Sequence, residues 1–127
     1  MTYDPMSGGT SSKAGIAFLA ALEACLEELN REAEAATEMD PLQEISFFLR
    51  RDETRVEAVA SYMSGHGGES AHVLEDRVHF TLSGEEALDV AFERAMFPEL
   101  ELPRVPLSGQ GGRAFLSRIE AFLRASL

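Results

Sequence analysis

The first apolar pattern along the chain has the period of an α-helix. Between Ser12 and Glu38, apolar residues recur in steps of three and four, which places them on one side of a helix. They are Leu19, Leu22, Leu26, Leu29, Ala33 and Ala36. Pro41 ends this pattern, because proline disfavours helical geometry in the residue before it. The sequence predicts a long helix that lies across a sheet, with pairing of its apolar seam to a second copy as the alternative.

The period then changes to two, which is typical of β-strands. Ile45, Phe47 and Leu49 alternate with more polar positions, and a similar run follows the RDET segment at 51–54. These two runs predict a β-hairpin, although residues 53–63 also fit one face of a helix. Because neighbouring strand residues point to opposite faces, Phe48 is expected to face outward if Phe47 enters the core.

The segment AHVLEDRVHFTLS, residues 71–83, predicts a further strand pair. With Glu75 and Asp76 at the tip of a tight turn, His72 would face His79 across the hairpin. Glu-Asp is a poor two-residue turn, so a looser loop or one bent strand is the alternative.

The last third of the chain shows two helical patterns separated by an extended segment. Ser83 and Glu86 match a capping box, and the apolar residues after them predict a helix to about Phe97. Residues 98–107 contain three prolines, which excludes them from the centre of a sheet. An amphipathic helix is predicted from Arg113 to about Ser126.

These elements predict an α+β fold. It has a long N-terminal helix, a small antiparallel sheet of three to four strands and two further helices, including the amphipathic C-terminal helix. Residues 1–11, rich in Gly, Ser and Thr, are expected to form a flexible N-terminal tail, and residues 12–127 a single domain.

Charge narrows the classes of partner. The chain has 22 acidic and 11 basic residues and a formal net charge of −11. Such a surface repels phosphate backbones and anionic lipid headgroups, so neither nucleic acid nor a membrane is expected as a partner. The lone Cys25 cannot form an intrachain disulfide; we expect it to be a small buried residue, and a cytoplasmic location fits.

The stretch SGHGGES, residues 64–70, resembles parts of a hydrolase active site. Gly68-Glu69-Ser70-Ala71-His72 departs from the nucleophile elbow at its last position, and no helix is predicted after Ser70. We therefore interpret the stretch as a connection between strands. A small ligand-binding or metal-dependent enzyme domain that uses His66, His72 and His79 is the alternative function.

No nucleotide, flavin or nicotinamide fingerprint is present, so no cofactor is expected. The favoured function is a non-enzymatic, acidic protein-interaction module, such as an adaptor, dedicated chaperone, antitoxin or immunity-type protein. Its expected partner is a protein with a basic surface, and a homodimer is expected. The predicted partner-binding residues are Glu23, Glu27, Glu28, Glu34, Phe48, Glu85, Glu86 and Asp89.

Overall fold

The computed structural model describes residues 12–39, 44–64 and 72–127, which form two layers. The elements are α1 (Lys13–Met39), β1 (Ile45–Asp52), β2 (Arg55–Ser64), β3 (His72–Ser83), β4 (Glu86–Arg94), β5 (Phe97–Pro106) and α2 (Gly109–Arg124). The strands form one antiparallel sheet in the order β1-β2-β3-β4-β5. The α+β class is confirmed, but the described residues contain five strands and two helices rather than three to four strands and three helices. The predicted tail at 1–11 lies outside them.

Helix α1 packs its predicted apolar seam onto the sheet. Leu22 and Leu29 are fully buried in the core, with Phe18 and Leu26 close to that limit. At the start of the helix, the Ser12 hydroxyl accepts a hydrogen bond from the Gly15 backbone N–H at 2.9 Å, as a helix-capping serine does. The seam is therefore occupied by the chain's own core and is not free to pair with a second copy.

Aromatic side chains join the two helices to the centre of the sheet. The Phe115 ring of α2 stacks on Phe18 of α1 with centroids 5.2 Å apart, and it meets Phe80 and Phe92 edge-on at 5.4 and 6.5 Å. Offset-stacked and edge-on pairs are the favoured arrangements of aromatic rings. This cluster fixes both helices on the same face of the sheet.

Helix α2 confirms the predicted amphipathic C-terminal helix, but it begins at Gly109, four residues earlier than expected. The glycines at the start of this helix allow a close approach to the end of β5. A Cβ atom at Gly112 would lie 2.5 Å from the Leu107 carbonyl carbon and oxygen. Glycine is needed there because any side chain would collide with backbone.

The β1–β2 hairpin is confirmed, and residues 55–64 form a strand rather than a helix. A tight turn at Glu53 and Thr54 joins the two strands. Phe47 is buried in the core, whereas Phe48 points to the opposite face, as strand alternation predicts.

The predicted hairpin within residues 71–83 is wrong. Strand β3 runs without a turn from His72 to Ser83, so the one-strand alternative is correct. Asp76, placed by the prediction at the tip of a turn, is 1% exposed and lies in mid-strand. Its side chain has partners on other elements, which a turn position would not allow it to reach.

The predicted helix from Ser83 to Phe97 is also wrong, because this segment forms strand β4 and its flanking turns. Gly84, with φ of 59°, begins a two-residue hairpin turn, a common position for glycine. Further along, Asp89 and Val90 together stand opposite Phe80, since His79 pairs with Ala91 and Thr81 with Leu88. This bulge shifts the alternation by one residue, so the apolar spacing resembles that of a helix.

The proline-rich segment forms the edge strand β5, consistent with its predicted exclusion from the centre of the sheet. Neither α1 nor α2 combines the length and apolar character that crossing a membrane requires, so the described residues include no such helix.

Candidate functional site

The two faces of the sheet differ in what covers them. Both helices pack on the face that carries Phe47, Val78 and Phe80. The opposite face, here called the outer face, is not covered by any element that the structure describes. Phe48 lies on this outer face, half-buried.

A network of charged side chains spans the outer face. Its members are Arg50, Arg55, Arg77, Glu57, Glu75, Glu93 and His79. Arg50 donates to Glu75 at 2.8 Å and to Glu57 at 3.1 Å, and Arg77 donates to Glu93 at 2.7 Å. Three arginines and three glutamates cancel when His79 is counted as neutral. This part of an otherwise acidic molecule is therefore electrically balanced.

Glu93 shows how the network acts on one of its members. Burial by itself raises the pKa of Glu93, because a low-dielectric environment disfavours its charged form. Hydrogen bonds from Arg77 and His79, together with the charge of Arg77, outweigh burial and lower the pKa of Glu93 below its usual value. Glu93 is thus held as a carboxylate that supports its cationic neighbours.

The network also covers an apolar residue. Val59 lies between Phe48 and Arg77 on the adjacent strands and is 0% exposed, although neither helix covers it. The Arg50 guanidinium carbon lies 5.6 Å from the centroid of the Phe48 ring, within the range of a cation–π contact. Side chains of the sheet itself therefore shield the middle of the outer face from solvent.

One end of the outer face is apolar and open. Met63 and Val73 are register partners on β2 and β3, and they are 50% and 64% exposed. Met96, in the β4–β5 turn, is 76% exposed and lines a cavity of about 200 Å³ together with Val73 and Arg77. We call Met63, Val73 and Met96 the apolar end.

Helix α1 carries a line of carboxylates on its exposed side. Glu23, Glu27, Glu34 and Glu38 are exposed and are separated by four, seven and four residues. On a helix this spacing keeps them within about 60° of one another along about 22 Å. Within the described residues, none of them forms an ion pair. We call these four residues the acidic stripe.

The stripe leads into a groove between the end of α1 and the start of β1. The groove has a volume of about 530 Å³ and is lined by Asn30, Glu34, Thr37, Glu38, Glu44, Ile45 and Ser46. Two stripe residues, Glu34 and Glu38, are therefore also groove residues, and Glu44 adds a third carboxylate. The last turn of α1 contains no basic residue to offset these charges.

The structure brings only part of the predicted partner-binding set together. Glu23, Glu27 and Glu34 belong to the stripe, whereas Glu28 is turned to Arg31. Phe48 lies on strand β1, as predicted. The other three lie on the sheet or its turns and not on the predicted helix: Glu85 in the β3–β4 turn, Glu86 beside Arg104 at 3.4 Å, and Asp89 in the β4 bulge. Sequence reasoning did not assign Glu38 to a groove and did not single out Glu44. Both residues flank the proline that ends the helical pattern, and this position was a usable signal.

The predicted facing pair of histidines does not form. His72 and His79 lie seven residues apart on β3, so they point to opposite faces and are separated by about 23 Å. His79 lies on the outer face, but its side chain is only 13% exposed and lies 3.3 Å from Glu93. His66 and the rest of residues 65–71 lie outside the described part. Among the described residues, no three His, Cys, Asp or Glu side chains are grouped as a metal site requires.

Asp76 is the buried polar centre that sequence reasoning missed. Its carboxylate accepts hydrogen bonds from the Tyr62 hydroxyl at 2.9 Å, the Arg94 guanidinium at 2.8 Å and the Ala95 backbone N–H at 2.9 Å. The Ser126 hydroxyl is a fourth donor, from the end of the chain. Burial, and then the hydrogen bond and charge of Asp76, raise the pKa of Tyr62. With its oxygens satisfied, Asp76 holds the fold together at this end.

Cys25 is half-buried on α1 and packs against the core, so it is less enclosed than expected. Burial, and then the charge of Glu120, raise the pKa of its thiol, while Arg124 opposes them. A raised pKa reduces the thiolate form, which is the reactive one. This environment suits a packing residue.

Comparison with protein families, curated proteins and solved structures finds no match for this chain.

Proposed function

We propose that this protein is a non-enzymatic interaction module that binds a basic segment of a protein partner along the acidic stripe and its groove. The observation that carries the proposal is the alignment of Glu23, Glu27, Glu34 and Glu38, none of which forms an ion pair within the described residues; the line ends at a groove with a further carboxylate, Glu44. Carboxylates in this arrangement attract cationic groups and raise the rate at which they associate.

The stripe is unfavourable for the isolated helix. Glu23 and Glu27, and likewise Glu34 and Glu38, are like charges four residues apart, and such pairs destabilise a helix. Glu38 also lies in the last turn, where the negative end of the helix dipole repels a carboxylate. A bound cationic segment would relieve both effects, so part of its binding free energy would come from helix α1 itself.

The spread of the charges favours a protein segment over a single metal ion. A metal ion needs several ligand atoms within a few ångströms, whereas the stripe extends over about 22 Å. Lysine and arginine side chains of one segment can match carboxylates over such a distance. The groove beside β1 gives the segment a recess in which to lie.

This mode of binding is compatible with adaptor, dedicated chaperone, antitoxin and immunity-type roles. Our expectation of a cytoplasmic location belongs to the same proposal and rests on the lone Cys25.

The test compares two variants with equal changes in net charge. The stripe variant carries Glu27→Gln, Glu34→Gln and Glu38→Gln, and the control variant carries Asp52→Asn, Glu53→Gln and Glu101→Gln, which are exposed elsewhere. Each serves as bait for capture from the source cell, followed by association kinetics with the purified partner. The stripe variant should lose the partner that the wild type and the control retain.

Salt provides a second measurement on the same complex. Raising it from about 0.05 M to about 0.5 M shortens the Debye length from about 14 to about 4 Å, which should slow association and leave dissociation nearly unchanged. A partner that binds both variants equally, with rates that ignore salt, would contradict the proposal.

A further inference from the structure

We propose that two copies of this chain form a two-fold dimer through their outer faces, with Met63, Val73 and Met96 buried at the contact. These side chains are 50%, 64% and 76% exposed in the single chain, and they lie on one end of the uncovered face. Burying apolar side chains of this size is the main favourable contribution to association.

The distribution of charge favours a second copy of this chain as the molecule that covers the outer face. Two molecules that each carry a net charge of −11 repel one another, so their contact must lie where the local charge is balanced. The outer-face network meets this condition, with three arginines against three glutamates, whereas the acidic stripe does not. A basic partner would be attracted to the stripe and would gain nothing from the balanced face.

The size of the outer face also fits a second copy of this chain. Five strands about 4.8 Å apart, and about eight residues long, span roughly 24 Å by 26 Å. A stable dimer buries about 800 Å² of each subunit, which a corrugated face of these dimensions approaches. The seam of α1 is excluded as the contact, because Leu22 and Leu29 are already fully buried in the core.

In this dimer the two outer faces would meet at the centre, and the helices of each copy would lie on the far side of its sheet. The outer face and α1 lie on opposite sides of the sheet, so both acidic stripes would stay accessible after pairing. If the proposed function holds, one dimer binds two basic segments, one on each side. The dimer itself does not depend on that function and is measured on the isolated chain.

The experiment is sedimentation velocity of the full chain from about 1 to 100 µM, the range in which weak dimers dissociate. Val73→Asp and Met63→Asp, made separately, should each weaken the dimer at least about tenfold, since a buried charge opposes association. Ile16→Asp is the matched control: Ile16 is 55% exposed, but it lies on α1 and should leave the dimer unchanged. Circular dichroism of each variant verifies that the fold is kept.

A wild-type chain that stays monomeric throughout this range would overturn the proposal. The same conclusion would follow if folded Val73→Asp and Met63→Asp proteins still dimerise as the wild type does, or if Ile16→Asp alone abolishes the dimer. Higher salt should strengthen this dimer by screening the repulsion between subunits, which is opposite to its effect on the proposed basic partner.

Discussion

The side-chain amide of Asn30 bonds to both backbone groups of Phe47. Its Oδ1 accepts from the Phe47 N–H and its Nδ2 donates to the Phe47 carbonyl, each at 2.8 Å. These are the bonds that an additional strand would form with β1, so one side chain of α1 occupies the edge of the sheet. The contact fixes the helix to the strand and blocks pairing at this position.

Replacing Asn30 with alanine should lower the free energy of unfolding by about 1–3 kcal/mol, because two half-buried backbone groups would lose their partners. Urea denaturation measures this change. Arg31→Ala, at the next and exposed position, should have almost no effect. Equal destabilisation by the two substitutions would show that the amide contact is unimportant.

Asp76→Ala should be among the most destabilising single changes, with a loss of about 3 kcal/mol or more. It removes the acceptor of four hydrogen bonds and leaves the Arg94 guanidinium without its buried counter-charge. Glu99→Gln is the control, since Glu99 also pairs with Arg94 but is half exposed. The two variants should differ clearly in thermal denaturation, and a similar midpoint for both would contradict this account.

Tyr62 should make stability sensitive to alkaline pH. Burial and the adjacent Asp76 raise its pKa in the folded state, so the folded chain prefers the protonated phenol. The stabilisation that follows is complete below the unfolded pKa of about 10 and is lost as pH rises through the higher, folded value. Unfolding measured from pH 8 to pH 11 should show this loss.

The control for that pH profile is Tyr62→Phe. It should be less stable at neutral pH, because Asp76 loses one donor, but its stability should fall less steeply above about pH 10. Parallel curves for the wild type and the variant would show that another group titrates.

Gly112→Ala should destabilise the start of α2 by about 1–3 kcal/mol, since its Cβ would collide with the Leu107 backbone. Gln110→Ala, exposed in the same turn, should leave the melting temperature nearly unchanged. A stable Gly112→Ala protein would mean that α2 can shift away from the end of β5 and make room for the Cβ atom.

The two described histidines should respond differently to substitution. His72→Asn should leave stability unchanged, because His72 is exposed at the start of β3. His79→Asn removes the contact with Glu93 and should lower stability by up to about 1 kcal/mol. Chelator treatment should change neither variant. Equal losses of stability from the two substitutions would contradict this account of His79.

Much of the secondary structure follows from local patterns. The seam of α1, the alternation around Phe47 and the apolar face of α2 each repeat over enough residues to identify the element. The prolines of β5 restrict it to an edge, because proline cannot donate to a neighbouring strand. These features depend on the chain's own geometry, so the sequence is enough to predict them.

The sequence by itself therefore determined the α+β class, both observed helices, strand β1 and the excess of acidic charge. The tertiary structure decided the rest. A bulge at Asp89 gives β4 an apolar spacing that resembles that of a helix. Asp76 can be buried in the middle of β3 because Tyr62, Arg94 and Ser126 reach it from other elements. The tertiary structure also determined which carboxylates of α1 form no ion pair within the described residues and which charges cancel on the outer face. Such relationships join residues far apart in the chain, and the local spacing from which sequence patterns are read does not contain them.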